Sequence, residues 1–355
     1  MSRSLWPARA GVLLLPIFSG GILAVPAFAA SAGVASVSGL TKVVYKAGSG
    51  RVNKVVVTRS GRVIIIDDRV AIKAGKGCKR IAGDKTKVRC TTSKTPTRVL
   101  VYLHDRDDSV VNKSSLGLTA DGSSGNDRLT GGSLGDSLRG GSGNDRLWGG
   151  DGKDLLVGGD GSDQLDAGAG ADTLDGGAGN DYLDGAAGPD RLQGGAGNDD
   201  MIGDDDPAKT SADVIYGGPG TDWVTYWYVN RAVTIDLDGS VRDDGQAGEH
   251  DTVGADVENA MGGPGRDYLT GNSRANWLYG SDGDDVAHGG GGDDYIDGGA
   301  GRDYLYGELG DDFLVDIDSY STDPVDTLDG GPNATMLGDV CRALPTDILR
   351  NCERP

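Results

Sequence analysis

The chain has 355 residues, 62 of them glycine, and a formal net charge of −20 from 54 Asp+Glu against 34 Lys+Arg. So acidic a chain opposes a phosphate backbone, which argues against nucleic acid as a partner. Three histidines without an H-E-x-x-H pattern, and four cysteines without a C-x-x-C pair, leave no conventional zinc site.

Residues 1–29 carry Arg3 and Arg9 ahead of the apolar run GVLLLPIFSGGILAVPAFA and end in Ala27-Phe28-Ala29. This is the pattern of a secretory signal peptide cut after Ala29. The competing reading is a membrane anchor, but Pro16, Ser19, Gly20, Gly21 and Pro26 interrupt a run near the minimum spanning length. No other stretch is apolar enough to span a bilayer, so no stable span is expected in the mature chain. Residues 30–115 differ in character. KVVYKA, NKVVVTRS, RVIIIDD and TRVLVYL are β-branched and broken by Gly, Ser or Asp, which predicts a small antiparallel β domain. Charge divides here: Ser31 to Ser115 holds 18 Lys+Arg against 6 Asp+Glu, and the chain from Leu116 holds 14 against 48. The basic surface either contacts anionic glycan or phosphate or is a solvated face docked against the acidic half. Cys78 and Cys90 flank a hairpin-like turn, and Cys341 and Cys352 flank a comparable segment. In an exported chain this implies two local disulfides, each stabilising by roughly 3 kcal/mol.

From Gly122 to Ile202 a nine-residue unit, G-G-x-G-x-D-x-U-x with U large and apolar, repeats nine times without a break. GGSGNDRLW (Gly140–Trp148), GGDGSDQLD (Gly158–Asp166) and GGAGNDYLD (Gly176–Asp184) are examples, and Leu134 at a fourth position is an exception. The glycines permit a tight turn with positive φ, and x-U-x is a strand too short to stand alone. Burial of the apolar residue therefore requires stacking. Two units with opposite turns make one coil of eighteen residues, and coils stack at about 4.8 Å. Each sixth-position aspartate then lies beside the one two units on: Asp127 with Asp145, Asp136 with Asp154, Asp145 with Asp163, Asp154 with Asp172, Asp163 with Asp181, Asp172 with Asp190, Asp181 with Asp199. On this reading Asp163 serves two sites and Asp199, ending the run, serves one. Ligands that are all oxygen suit a hard cation with tolerant geometry, which is calcium (Ca2+, multiple ions) rather than magnesium.

The unit resembles the RTX, or haemolysin-type, calcium-binding repeat. That resemblance implies a parallel β-roll with calcium held in the turns. Best-known members of that family leave the cell through a C-terminal signal, unlike the N-terminal signal expected here. The fold class is thus all-β, a small antiparallel β domain followed by a parallel β-roll.

The first roll block spans 116–225, and residues 226–261 interrupt it with apparent strands TYWYV and AVTIDL and the acidic loop DDGQAGEHD. We read this as an enlarged coil. Its Asp236, Asp238, Asp243, Asp244, Glu249, Asp251, Asp256 and Glu258 either build an extra calcium site or are solvated. A second block over 262–329 has sixth positions Asp267, Asn276, Asp285, Asp294, Asp303 and Asp312, with Asn276 in place of aspartate and Ala287 in an apolar slot. Residues 330–355, where Thr335 stands in place of aspartate, form a disulfide-containing cap. GGSLG around Ser133 matches a nucleophile-elbow pattern but lies inside a repeat, not between a long strand and a helix, so no enzymatic activity is expected. The sequence points to a secreted, extracellular calcium-binding repeat protein with a structural or adhesive role. Its partners are calcium and an extracellular glycan, surface or protein; the alternatives are a module of an extracellular enzyme or toxin, or a surface- or glycan-binding module.

Overall fold

The computed structural model describes residues 31–204, 211–241, 243–316, 325–332 and 338–352. The expected signal peptide (1–29) and Thr335 lie outside them. Among the described residues there is no helix, and the strands form sheets of 11, 16 and 7.

Within the repeats, each x-U-x segment and the glycines after it form a strand that pairs in parallel with the strand eighteen residues on. Leu129, Leu147, Leu165 and Leu183 stand in register on the second sheet, and Leu138, Leu156, Leu174 and Leu192 on the first. All eight are at most 1% exposed. Burying one such side chain contributes about 1.5–3 kcal/mol, and the core is only one large residue wide per strand. Neighbouring positions point outward: Leu155, one residue from the buried Leu156, is 42% exposed.

The antiparallel hairpins of the N-terminal segment are present: Gly33–Ser38 with Lys42–Lys46, and Lys54–Ser60 with Val63–Asp67 and then Asp84–Thr91. Parallel pairing begins well before residue 116. Lys42–Lys46 pairs with Arg98–Tyr102, and Lys54–Ser60 with Ser109–Asn112. The hairpins and the roll therefore share two continuous sheets, because Val43, Val55, Val99 and Val110 place buried side chains in phase with the leucines that follow. Cys78 and Cys90 face each other across a hairpin and are bonded, as are Cys341 and Cys352.

At residues 226–261 the first sheet ends on Thr252–Val253, while a third sheet starts on Gly245–Gln246, antiparallel to Val233–Asp236, from which its parallel strands continue. The second sheet passes through, from Trp223–Thr225 to Asn259–Met261 to Trp277–Asp282. The insertion thus exchanges one wall of the roll and keeps the other. Ala287 fills its slot in the third sheet at 1% exposure, in register with Leu269 and Leu305.

Leu156→Ala should lower the stability of the calcium-loaded chain by about 2–5 kcal/mol. Leu155→Ala should change it by about 0.5 kcal/mol or less. Denaturant unfolding of both variants checks the inward–outward assignment.

Candidate metal centre

The sixth residue of each unit lies where the turn meets the strand, and its carboxylate reaches back one coil. Oδ1 of Asp145 accepts the backbone N–H of Asp127 at 2.7 Å, and the same bond joins Asp136 to Asp154 and Asp145 to Asp163 at 2.7 Å. It continues from Asp154 to Asp172 and Asp172 to Asp190, and from Asp163 through Asp181 to Asp199. The second block repeats it from Asp267 to Asp285 to Asp303 and from Asn276 to Asp294 to Asp312.

The other oxygen is the informative one. Oδ2 of Asp127, Asp145, Asp154, Asp163, Asp172, Asp181, Asp190, Asp199, Asp285, Asp294 and Asp312 is buried and meets no donor. In all of these units but that of Asp172, which begins with Ala167, it points at the unit's first glycine and at a carbonyl from the next coil. A Cβ added to Gly158 would lie 2.3 Å from Asp163 Oδ2 and 2.5 Å from the Gly176 carbonyl oxygen; one on Gly176 would lie 2.5 Å from both Asp181 Oδ2 and the Gly194 carbonyl oxygen. Glycine leaves room there for converging oxygens. Buried carboxylate oxygens without donors are costly unless a cation satisfies them, and carboxylates with backbone carbonyls are a hard-cation donor set. The residues fit calcium.

Burial has a direct electrostatic effect. Desolvation pushes Asp127, Asp145 and Asp181 up to about 7, and Asp190, Asp285 and Asp294 up to about 8, with neighbouring carboxylates adding to the rise.

Residues 121–156, 130–165, 148–183, 157–192, 175–206, 208–226, 261–294 and 279–314 match the family of RTX calcium-binding nonapeptide repeats. The chain carries RTX calcium-binding repeats. No curated protein matches it.

The RTX units are not equivalent, and the backbone at their second position divides them. Where that residue has positive φ, as in Gly141 (120°), Gly159 (125°), Gly177 (108°), Ser123 (72°), Ala186 (63°) and Ser281 (93°), the unit's aspartate keeps a donorless Oδ2. Gly132, Gly263 and Asn272 are not in this left-handed region. In these three units the second residue's N–H turns inward and donates to the sixth residue: Gly132 to Asp136 Oδ2 at 2.5 Å, Gly263 to Asp267 Oδ2 at 2.7 Å and Asn272 to Asn276 Oδ1 at 2.8 Å. Asn276 also donates to the Glu258 carbonyl. Leu134 and Asn276, two of the departures from the unit's pattern, thus fall in units where protein donors do the satisfying.

Several members of the column lie outside the expected set. Asp199 does not end the run: its N–H donates to Asp222 Oδ1 at 2.9 Å, and Asp190 donates to Asp213 Oδ1 at 2.8 Å. Both new partners sit 23 residues on, because an insertion shifts the period. Asp326 and Asp339 continue the columns from Asp303 and Asp312 at spacings of 23 and 27, so Asp339 holds the place that period alone assigned to Thr335. Asp303, Asp316 and Asp326 bring carboxylate oxygens within 4.8 Å of one another. Glu258 reaches the Asp222 N–H in place of an aspartate and pairs with Arg274, so a protein cation stands in the counter-ion's role. At the other end, Asp108 donates to Asp127 Oδ1 at 2.7 Å and belongs to a disguised unit whose second and fourth residues, His104 (φ 80°) and Arg106 (φ 82°), take the conformation glycine adopts elsewhere. The signal for it was an aspartate two residues before Val110, nineteen before Asp127. The Asp108 carboxylate is held by Asn53 and that of Asp68 by Tyr45 and the Lys54 N–H, all without a metal.

Asp145→Asn should remove bound calcium at saturation, whereas Asp136→Asn should leave the calcium count unchanged; native mass spectrometry distinguishes them. A second expectation concerns pH. Asp pKa values in the fold lie above the unfolded value of about 3.9, so the metal-free fold binds more protons than the unfolded chain between about pH 4 and 8, and its stability rises as pH falls through that window. In chelator the repeats should therefore gain β signal as pH is lowered from about 8 towards 4. Circular dichroism of the chelated chain at several pH values tests this.

Proposed function

We propose that the chain is an exported scaffold that folds on calcium outside the cell and has a structural or adhesive role there, with no catalysis of its own. The observation that carries this reading is the column of buried aspartate Oδ2 atoms without donors. Asp127, Asp145, Asp154, Asp163, Asp172, Asp181, Asp190, Asp199, Asp285, Asp294, Asp303 and Asp312 are the proposed calcium ligands, joined by glycine carbonyls. Asp213 and Asp222, whose Oδ2 atoms also lack donors, extend the set. Two disulfides suit an oxidising compartment, and the pattern of residues 1–29 supplies an export route. Among the described residues, no helix is long and apolar enough to cross a membrane.

One feature favours glycan as the adhesive contact. Trp277, Tyr295 and Phe313 occupy consecutive outward positions on the second sheet, with ring centroids 5.4 and 5.5 Å apart, and Trp277 is 52% exposed. The equivalent positions of the first block are Arg128, Arg146, Gln164, Tyr182, Asp200 and Trp223, in which no two rings are consecutive. An exposed tryptophan at the end of such a row suits the apolar face of a sugar ring.

The protein recovered from the medium of producing cells should begin at Ala30, carry both disulfides, and be retained on the cell surface in calcium and released by chelator. A product kept inside the cell with residues 1–29 intact and its thiols reduced would overturn the reading. On a glycan array, Trp277→Ala should abolish any calcium-dependent signal that the wild type gives.

A further inference from the structure

The basic surplus of residues 31–115, 18 Lys+Arg against 6 Asp+Glu, is not used to dock the acidic roll. Among the described residues, Lys87 is the one member that forms an ion pair, with Asp67 and Asp84 of the same segment. The roll continues the N-terminal sheets instead of folding back on them. Three of the cations converge. Arg51 lies in the loop before Lys54–Ser60, Arg69 in the loop after Val63–Asp67, and Arg106 in the turn between Arg98–Tyr102 and Ser109–Asn112. With Ser31, Gly50 and Ala71 they line an open cavity of about 660 Å³ whose lining includes no carboxylate. All three arginines are exposed, and among the described residues none has an ion-pair or hydrogen-bond partner for its guanidinium. Their acidic neighbours in sequence are engaged elsewhere. Asp68 accepts the Tyr45 hydroxyl at 2.6 Å and the Lys54 N–H at 2.7 Å, Asp105 accepts the Gly50 N–H at 2.7 Å, and Asp107 accepts that of Asn126 at 3.0 Å.

An independent sign is the backbone of Arg106. At φ 82° it holds the fourth position of its turn, where the next turn, stacked upon it, places Gly125 (φ 122°). A side chain there carries a backbone cost that glycine avoids, and strain of this kind collects at ligand sites. The same edge of the roll continues the pattern. Arg128 and Arg146, with Asn126 and Asn144, line a second open cavity of about 470 Å³. Oδ1 of Asn126 and of Asn144 accepts the N–H of the next turn, which leaves each Nδ2 as a donor. Asp127 and Asp145, which also line it, are proposed calcium ligands whose charge the bound ion offsets. A run of guanidinium and amide donors along one edge suits a linear polymer bearing anionic oxygens, and the net charge of −20 opposes nucleic acid.

We propose that Arg51, Arg69 and Arg106 form an anion-binding cavity that, with the donors of the adjoining edge, takes the carboxylate or sulfate groups of an acidic polysaccharide. This rests on the exported, calcium-folded reading of the chain. It gives the basic segment a ligand of its own, apart from the aromatic row at Trp277.

Surface plasmon resonance of the calcium-loaded full chain on immobilised hyaluronate, dextran sulfate and uncharged dextran tests it. The wild type should bind both anionic polymers, leave them in about 1 M sodium chloride, and ignore dextran. Arg106→Gly, which relaxes the backbone, and Arg69→Gln should each weaken binding about tenfold or more. Lys85→Gln removes the same charge from an exposed position of Asp84–Thr91 and should weaken it about twofold or less. Should either cavity variant fail to fold, Arg51→Gln, at a position outside the left-handed region, repeats the test. Equal losses in Lys85→Gln and the cavity variants, or a wild type that binds neither anionic polymer, overturn the site. Stronger binding to phosphatidylglycerol vesicles than to either polysaccharide overturns the assignment of its ligand. A wild-type chain that stays unfolded in calcium overturns the parent reading instead.

Discussion

Most coils depend on how one carboxylate divides its two oxygens. Oδ1 is committed to the backbone N–H of the previous coil and fixes the stacking register; Oδ2 is turned into a buried pocket lined by carbonyls, where no donor of the chain meets it. The first oxygen makes the stack possible, and the second makes it unfavourable without a cation. The register bond brings the carboxylate into the pocket, and the pocket exists because a left-handed second residue turns its own N–H away.

The glycine pattern is the covalent cause. Positive φ at the second and fourth positions costs most side chains about a kcal/mol or more, and glycine almost nothing. The same residues leave the space into which Oδ2 and the neighbouring carbonyl converge. With a core one large residue wide, the apolar gain per nine residues is set against a large ordering entropy. Metal binding free energy then becomes folding free energy. The N-terminal segment is built on the opposite principle: Tyr45, Asn53 and Lys54 satisfy Asp68 and Asp108, and the Cys78–Cys90 bond ties a β-branched hairpin. It offers the first repeats two sheet edges whose own buried carboxylates are held by protein donors.

Much of this was legible in the sequence, for identifiable reasons. A leucine in phase with every aspartate fixes both the strand period and the inward face, so Leu129 to Leu192 fell on one core without further information. The chain from Leu103 to Val111 was not legible, because His104 and Arg106 occupy left-handed positions that composition assigns to glycine. Asp213, Asp326 and Asp339 were hidden by insertions that shift the count while leaving the register intact. Least legible was the difference between Asp136 and Asp145: both sit in the same motif, and only the backbone angle at Gly132 or Gly141 decides whether a protein N–H or a cation completes the carboxylate. Leu134 marks one such unit, but Gly262 to Asp267 keeps its glycines and still turns inward.

If coordination, and not relief of repulsion, holds the roll together, sodium cannot substitute for calcium. Far-ultraviolet circular dichroism of the chelated chain in 1 M sodium chloride, where the Debye length is about 3 Å, compared with millimolar calcium at low ionic strength, separates the two causes. Calcium should produce a cooperative rise in β signal, and sodium almost none beyond that of the N-terminal segment. Equal β signal in sodium, or full β signal in chelator at neutral pH, would contradict folding by coordination.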